Sequence, residues 1–220
     1  ERAAFREEVR AYLMENPEVI VEAMTELQSR EDAAAADRDL QLMETHKDAI
    51  YNSAADWVGG NPDGDITVVE FMDYRCGYCR KAYQEIEDLV GTDGNIRFVL
   101  KEFPILGEES LLSSQFAISV RMLYGDEAYK KAHDALIVLR GEANAETLAR
   151  LAGDLGHDAA AVAEKMASEE VKAVIMADHE LATVVEISGT PTLVAARTIV
   201  RAYVPLDGMR QIVAGQRQDG

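Results

Sequence analysis

Cysteine is nearly absent from this chain: two of 220 residues, Cys76 and Cys79. So small a number excludes a disulfide framework, and neither residue can staple a distant loop, so each has only the other or a partner's sulfur. Positive charge is also scarce. The 22 Lys and Arg against 40 Asp and Glu leave a formal net charge of -18. That balance argues against nucleic acid and against anionic membrane surfaces, both of which need clustered cations. No apolar run approaches the roughly 20 residues needed to cross a bilayer. No basic-then-apolar leader is visible, and the chain opens on Glu1 rather than Met. Such a start is expected of a processed or truncated form and leaves the compartment open. Histidine is limited to His46, His133, His157 and His179, with no close pair. A zinc site needs four ligands, so neither a metal site nor a cofactor is expected.

What is present is a 48 % apolar composition, enough for a substantial core. Residues 1–45 are helical in character. Phe5, Val9, Tyr12 and Leu13 repeat at helical spacing up to Asn16-Pro17, where Asn16 suits an N-cap and Pro17 a first helical position. A second stripe, Val19, Ile20, Ala23, Met24 and Leu27, extends past Ala33–Ala36 toward Leu40 and Met43. This stretch carries 12 acids against 5 bases. Two readings stand: a helical pair packed on its own domain, or an arm that buries its stripe against other subunits. Two helices alone make little core, which favours a partner surface.

After the turn Asn61-Pro62-Asp63-Gly64, the β-branched run Ile66–Met72 reads as a buried central strand. A helix follows with Cys79, Ala82, Tyr83, Ile86, Leu89 and Val90 and is expected to break at Gly91; Asn95–Leu100 gives another strand. This is a βαβ unit with a right-handed crossover. Residues 108–186 are mostly helical. Two short strands, Thr192–Ala195 and Thr198–Tyr203, and a helix near Pro205–Val213 complete the α/β pattern.

The strand delivers Cys76-Gly77-Tyr78-Cys79 to a helix N-terminus. Unpaired backbone N–H groups and the positive end of the helix dipole there favour thiolate over thiol. Thiol pKa values in such motifs fall from about 8.5 to roughly 3.5–7.5. Cys76, at the helix edge, is expected to be the exposed nucleophile. Cys79, three residues on, resolves the mixed disulfide. Gly77-Tyr78 places no cation inside the motif, so a less extreme shift is expected than with His there. Glu70, six residues before Cys76, either alternates outward to solvent or is buried with a raised pKa and accepts the proton of Cys79. Thr190-Pro191 reads either as a strand-edge turn or, if cis, as a loop offering backbone groups to an extended peptide.

Together these residues resemble a thioredoxin fold of the DsbA class, with Glu70-Phe71, Cys76 to Cys79, an inserted helical block at about 108–186 and Thr190-Pro191 at the late proline loop. The resemblance covers about residues 62–213. The sequence is more closely similar to the suppressor-of-copper-sensitivity C (ScsC) group of exported proteins. The shared stretches are Phe71-Met72-Asp73-Tyr74-Arg75-Cys76-Gly77-Tyr78-Cys79-Arg80, Lys101-Glu102-Phe103-Pro104-Ile105-Leu106-Gly107 and Gly189-Thr190-Pro191-Thr192. Arg6 to Glu26 is similar to that group's N-terminal oligomerisation helices.

The resemblance implies a homo-oligomerisation arm at 1–45 and a DsbA-like domain at 46–220. It implies Cys76, Cys79 and Glu70 as catalytic residues and Gly77, Tyr78, Thr190 and Pro191 as substrate contacts. Lys101 looks like the basic neighbour of the buried acid. The Gly/Asn/Asp-rich turn expected in the last hairpin is replaced by Ala195-Ala196-Arg197.

The resemblance also implies a periplasmic protein with its signal peptide removed, acting on cysteine-containing exported proteins and reset by a membrane redox partner. Gly77-Tyr78 and the Thr before the proline resemble disulfide isomerases more than the DsbA oxidase, which has Pro-His and Val at those places. Isomerase or reductase is therefore the leading expectation. A DsbA-like dithiol oxidase and a Cu(I)-binding role in copper tolerance are the alternatives.

Overall fold

The structure, a computed structural model, describes residues 2–195 and 197–218. The chain divides into two compact units, Glu1–Gln41 and Leu42–Gly220. In the first, α1 (Arg2–Glu15) buries no residue; α2 (Glu18–Thr45) follows, its last residues belonging to the second unit. Phe5, Tyr12, Met14, Val21, Met24 and Leu27 are all exposed within the single chain. Asn16 does not act as the expected side-chain cap of α2. Its amide donates to the carbonyl of Tyr12 at 2.9 Å and so closes α1.

The second unit is built on a five-stranded sheet of order β1-β3-β2-β4-β5. The strands are β1 (Trp57–Gly60), β2 (Ile66–Met72), β3 (Ile96–Glu102), β4 (Thr192–Ala195) and β5 (Thr198–Val200). β2 pairs parallel with β3 through the crossover helix α4 (Gly77–Asp93), and the other pairings are antiparallel. The thioredoxin-like α/β fold with an inserted helical block is therefore present as expected.

Because helices pack on both sides of the sheet at β2, both its faces are buried, which is why its sequence is nearly continuously apolar. Val68 and Met72 face one core with Phe98, Leu100, Ile86 and Leu136. Val69 and Phe71 face the other with Val99, Leu181, Val185, Ile50 and Met43. Each such side chain contributes about 1.5–3 kcal/mol by leaving water. Between β3 and β4 come α5 (Glu108–Tyr124), α6 (Asp126–Ile137), α7 (Ala145–Asp154), α8 (Ala159–Met166) and α9 (Glu169–Val184). The chain ends in α10 (Leu206–Gln218).

Several boundaries differ from expectation. Helix α4 passes through Gly91 to Asp93; it stops at Gly94, whose φ of 71° and N–H bond to Val90 make the left-handed C-cap. β5 ends at Val200 rather than Tyr203, leaving Tyr203 in the loop before α10. Edge strand β1 and short α3 (Lys47–Tyr51) carried no periodic signal. Trp57-Val58-Gly59-Gly60 is too short and glycine-rich to read as a strand. Tertiary contacts fix it: Trp57 stacks on Tyr129 at 5.7 Å and donates to the carbonyl of Asp126. The turn reading at Ala195-Ala196-Arg197 falls on Ala196, outside the described residues.

Candidate active site

At the end of β2 the chain turns through Asp73, Tyr74 and Arg75 into α4. The buried Asp73 carboxylate organises this turn. It accepts from the N–H of Arg75 at 2.7 Å, and from those of Ile105 and Leu106 at 2.8 and 3.0 Å. The loop after β3 is thereby latched to the residues that precede Cys76. Arg80 holds the same turn from inside α4, its Nε donating to the Tyr74 carbonyl at 2.8 Å.

Cys76 is the N-cap of α4, with extended backbone and no side-chain capping bond. Helices α7, α8 and α9 are instead capped by the side chains of Asn144, Asp158 and Ser168. The first-turn amides of α4 thus have no side-chain cap, beside a sulfur that an anion would suit. The Cys76 thiol donates to the carbonyl of Thr190 at 3.2 Å, and the Thr190-Pro191 peptide bond is cis. Two segments 114 residues apart meet at the sulfur. The expected open exposure of Cys76 is corrected here: only 7 % of the residue is accessible, because the Thr190 loop covers it, against 1 % for Cys79.

Cys79 sits behind, among Glu70, Tyr83, Ile86, Phe98 and His133, around a cavity of about 10 Å³, the size of one water molecule. Burial pushes its thiol well up, and the nearby Glu70 carboxylate adds to the shift. Of the two readings of Glu70, the structure takes the buried one, at 5 % exposure. Burial first, then the charges of Glu102 and Glu87, raise its pKa to about 8.

Lys101 is not the neighbour of that acid. It follows Leu100, the β3 partner of Glu70, so alternation sends it to the opposite face of the sheet. There its ammonium lies 2.6 Å from Asp56 and 3.3 Å from Asp178, and donates to the Ala49 carbonyl.

The charged neighbour that acts most on Glu70 is instead Glu102, which the sequence reading did not single out. Its carboxylate accepts from Tyr129 at 2.6 Å, Ser114 at 2.7 Å and Tyr74 at 2.9 Å. Tyr74 also lies 3.1 Å from His133 Nδ1. Burial raises Glu102 to about 7 against the pull of those hydroxyls, and lowers His133 to about 4. The local signal for these partners is slight: Asp73, Tyr74 and Glu102 lie within shared stretches but carry no motif role of their own, whereas Ser114, Tyr129 and His133 lie on remote helices.

Gly77 and Tyr78 are exposed, and Tyr78 stacks on Tyr203. Among the described residues no group of three or more His, Cys, Asp or Glu is placed to hold a metal ion.

A family model described as "Thioredoxin" matches residues 52–214, most of the chain. The chain belongs to the thioredoxin family. A second model, the copper resistance protein ScsC N-terminal domain, matches residues 1–34. A thioredoxin-like oxidoreductase from Silicibacter pomeroyi DSS-3 is 37 % identical, with a TM-score of 0.73 over 78 % of this chain and 98 % of that one. ScsC from Proteus mirabilis, in a transitional conformation, is 25 % identical, with a TM-score of 0.74 over 100 % of this chain and 96 % of that one. BcfH from Salmonella enterica Typhimurium is 26 % identical, with a TM-score of 0.79 over 96 % and 93 % of the two chains.

Among curated proteins, Na(+)/H(+) antiporter NhaA 1 from Salinispora arenicola is 30 % identical over 138 residues, 62 % of this chain. The alignment covers only 21 % of that relative. This thioredoxin-family chain is thus DsbA- and ScsC-like in architecture, and its helical N-terminus matches the ScsC arm. Among the described residues no helix is long and apolar enough to cross a membrane.

Proposed function

We propose that this chain is a thiol-disulfide oxidoreductase working in the isomerase or reductase direction on cysteine-containing exported proteins in the periplasm. The observation that carries the reading is Cys76 as a helix N-cap without a side-chain bond to the helix, with Cys79 and Glu70 buried behind it. The Cys76 thiolate attacks a substrate disulfide, forming one S–S bond and releasing one substrate thiolate. Two outcomes follow. A second substrate thiolate displaces Cys76, so the substrate is isomerised with no net electron transfer. Alternatively Cys79 gives up its proton, with Glu70 as acceptor, and attacks the Cys76 sulfur. The substrate then leaves reduced, and the chain holds a Cys76–Cys79 disulfide that a membrane redox partner reduces.

Gly77-Tyr78 and Thr190 support this direction, as does residues 1–45 acting as a homo-oligomerisation arm that gathers several sites around one substrate. The DsbA-like 46–220 domain carries the chemistry. The alternative oxidase would show a reduction potential near the roughly -120 mV of strong oxidants. For Cu(I), the two soft thiolates of Cys76 and Cys79 would be the ligands, while the copper-named match falls on residues 1–34 rather than on the cysteines. The deciding experiment is reactivation of scrambled ribonuclease by the reduced chain, alongside its reduction potential. No reactivation together with a strongly oxidising potential would reject the isomerase reading in favour of the oxidase.

A further inference from the structure

Tyr78, within the Cys-x-x-Cys motif, takes no part in the sulfur exchange itself. It stands two residues from the attacking sulfur, 61 % exposed, and stacks on Tyr203 with centroids 5.8 Å apart and 28° between planes. Tyr203 is held from three sides. Tyr78 covers one side, the Lys81 ammonium lies 4.3 Å from its ring centroid, and its hydroxyl donates to the Glu85 carboxylate at 2.8 Å. Tyr78, Lys81 and Glu85 occupy i, i+3 and i+7 of α4 and therefore one face. The two rings are already stacked in the free chain.

Between this stack and Cys76 lies Gly77. A Cβ built there would meet no atom within 4 Å, and the backbone is not left-handed. Neither crowding nor backbone strain requires a glycine at 77. The space around Gly77, between Cys76 and Tyr78 in the chain, is therefore open.

A polypeptide that forms a disulfide with Cys76 brings the residues beside its own cysteine close to the motif, at about 3.3 Å per residue. We propose that the Tyr78–Tyr203 stack, with Lys81 over the Tyr203 ring, is a docking platform for an aromatic side chain adjacent to the substrate's cysteine. It would select unfolded or misfolded polypeptides whose cysteines lie in aromatic, core-type sequence. The proposal rests on Cys76 being the attacking sulfur. Ring stacking and the nearby cation both act on aromatic faces more than on aliphatic chains. In a native substrate such residues are buried, so the platform engages them only where folding is incomplete.

The test uses the full chain with Cys79→Ser, so that a mixed disulfide at Cys76 is not resolved. Two short peptides carry a cysteine activated as a 2-thiopyridyl disulfide, flanked in one by Trp and in the other by Gly. The Cys76 thiolate attacks the peptide sulfur, the Cys76–peptide disulfide forms, and pyridine-2-thione leaves with the electron pair; its absorbance gives the rate. The expected Trp-to-Gly rate ratio is about 2- to 10-fold. It falls toward 1 with Tyr78→Ala and with Tyr203→Ala and persists with Tyr203→Phe, which keeps the ring. A merely structural role for Tyr203 would slow both peptides alike and leave the ratio unmoved. A ratio near 1 in the parent, or one unchanged by both Ala variants, overturns the platform. Failure of both peptides to label Cys76 overturns the exchange reading itself, a separate result.

Discussion

The Cys76 thiol donates to the carbonyl of Thr190 at 3.2 Å, joining a helix start to a loop 114 residues further along the chain. This bond ties the sulfur's reactivity to both segments. It also separates the roles of the two cysteines. Cys76→Ser should abolish mixed-disulfide formation with substrate, whereas Cys79→Ser should accumulate it. Mass spectrometry after acid trapping checks this; equal labelling of the two variants would reverse or void the assignment.

Glu70 should impose a pH dependence on stability. Its pKa rises from 4.5 unfolded to about 8 folded because burial disfavours the charge. Between those values the native state binds more protons than the unfolded one, so stability falls as pH rises through that window. Glu102, raised to about 7, acts in the same sense. Glu70→Gln should flatten the decline between pH 5 and 9 and slow release of substrate from the mixed disulfide. Urea midpoints across that range test the first claim, and an unaltered slope in the variant would remove Glu70 from the account.

Lys101 is a structural cation. Removing it as Lys101→Met leaves Asp56 and Asp178 buried without their counter-charge, at a cost of about 3–5 kcal/mol. A large fall in Tm is expected, with the rate of Cys76 alkylation in the still-folded protein unchanged. Asp56→Asn added to Lys101→Met should recover part of the loss. Altered alkylation at full stability would return Lys101 to the site.

Asp73→Ala should loosen the site without touching a cysteine. It strips the carboxylate from three N–H groups, those of Arg75, Ile105 and Leu106. Bonds to charged groups contribute about 1.5–3 kcal/mol each, so a marked loss of stability is expected, together with slower exchange. Faster hydrogen exchange at the Ile105 and Leu106 amides would be the direct sign.

The arm can be removed more safely at residue 41 than at 45, because Met43 is buried in the core beneath β2 and β4. Deleting 1–41 should leave a folded monomer that still reduces small disulfides but no longer reactivates scrambled ribonuclease. Light scattering gives the mass; an oligomer that survives the deletion would place assembly elsewhere.

Local chemistry accounts for what could be read along the chain. The β-branched run at Ile66–Met72, the helix after Cys76 and the two stripes before Asn16 and after Pro17 each carry their own period. Strand-to-helix context alone marked Cys76 and Cys79 as a dithiol. Glu70 was only half legible, because alternation could send it to either environment; the apolar surroundings that bury it come from α4 and α6. Lys101 was misplaced for a related reason. Its neighbour in sequence pairs with Glu70 across the strands, but one residue of register turns it to the other face.

The sequence by itself determined most of the elements, the dithiol and the family to which the chain belongs, since propensity, periodicity and motif spacing act over a few residues. Only the tertiary structure decided that Thr190 covers Cys76, that Glu102 rather than Lys101 acts on Glu70, and that Tyr203 rests on Tyr78. Those relationships join residues some 30 to 125 positions apart, and burial and electrostatics between them arise only once the packed core brings them together.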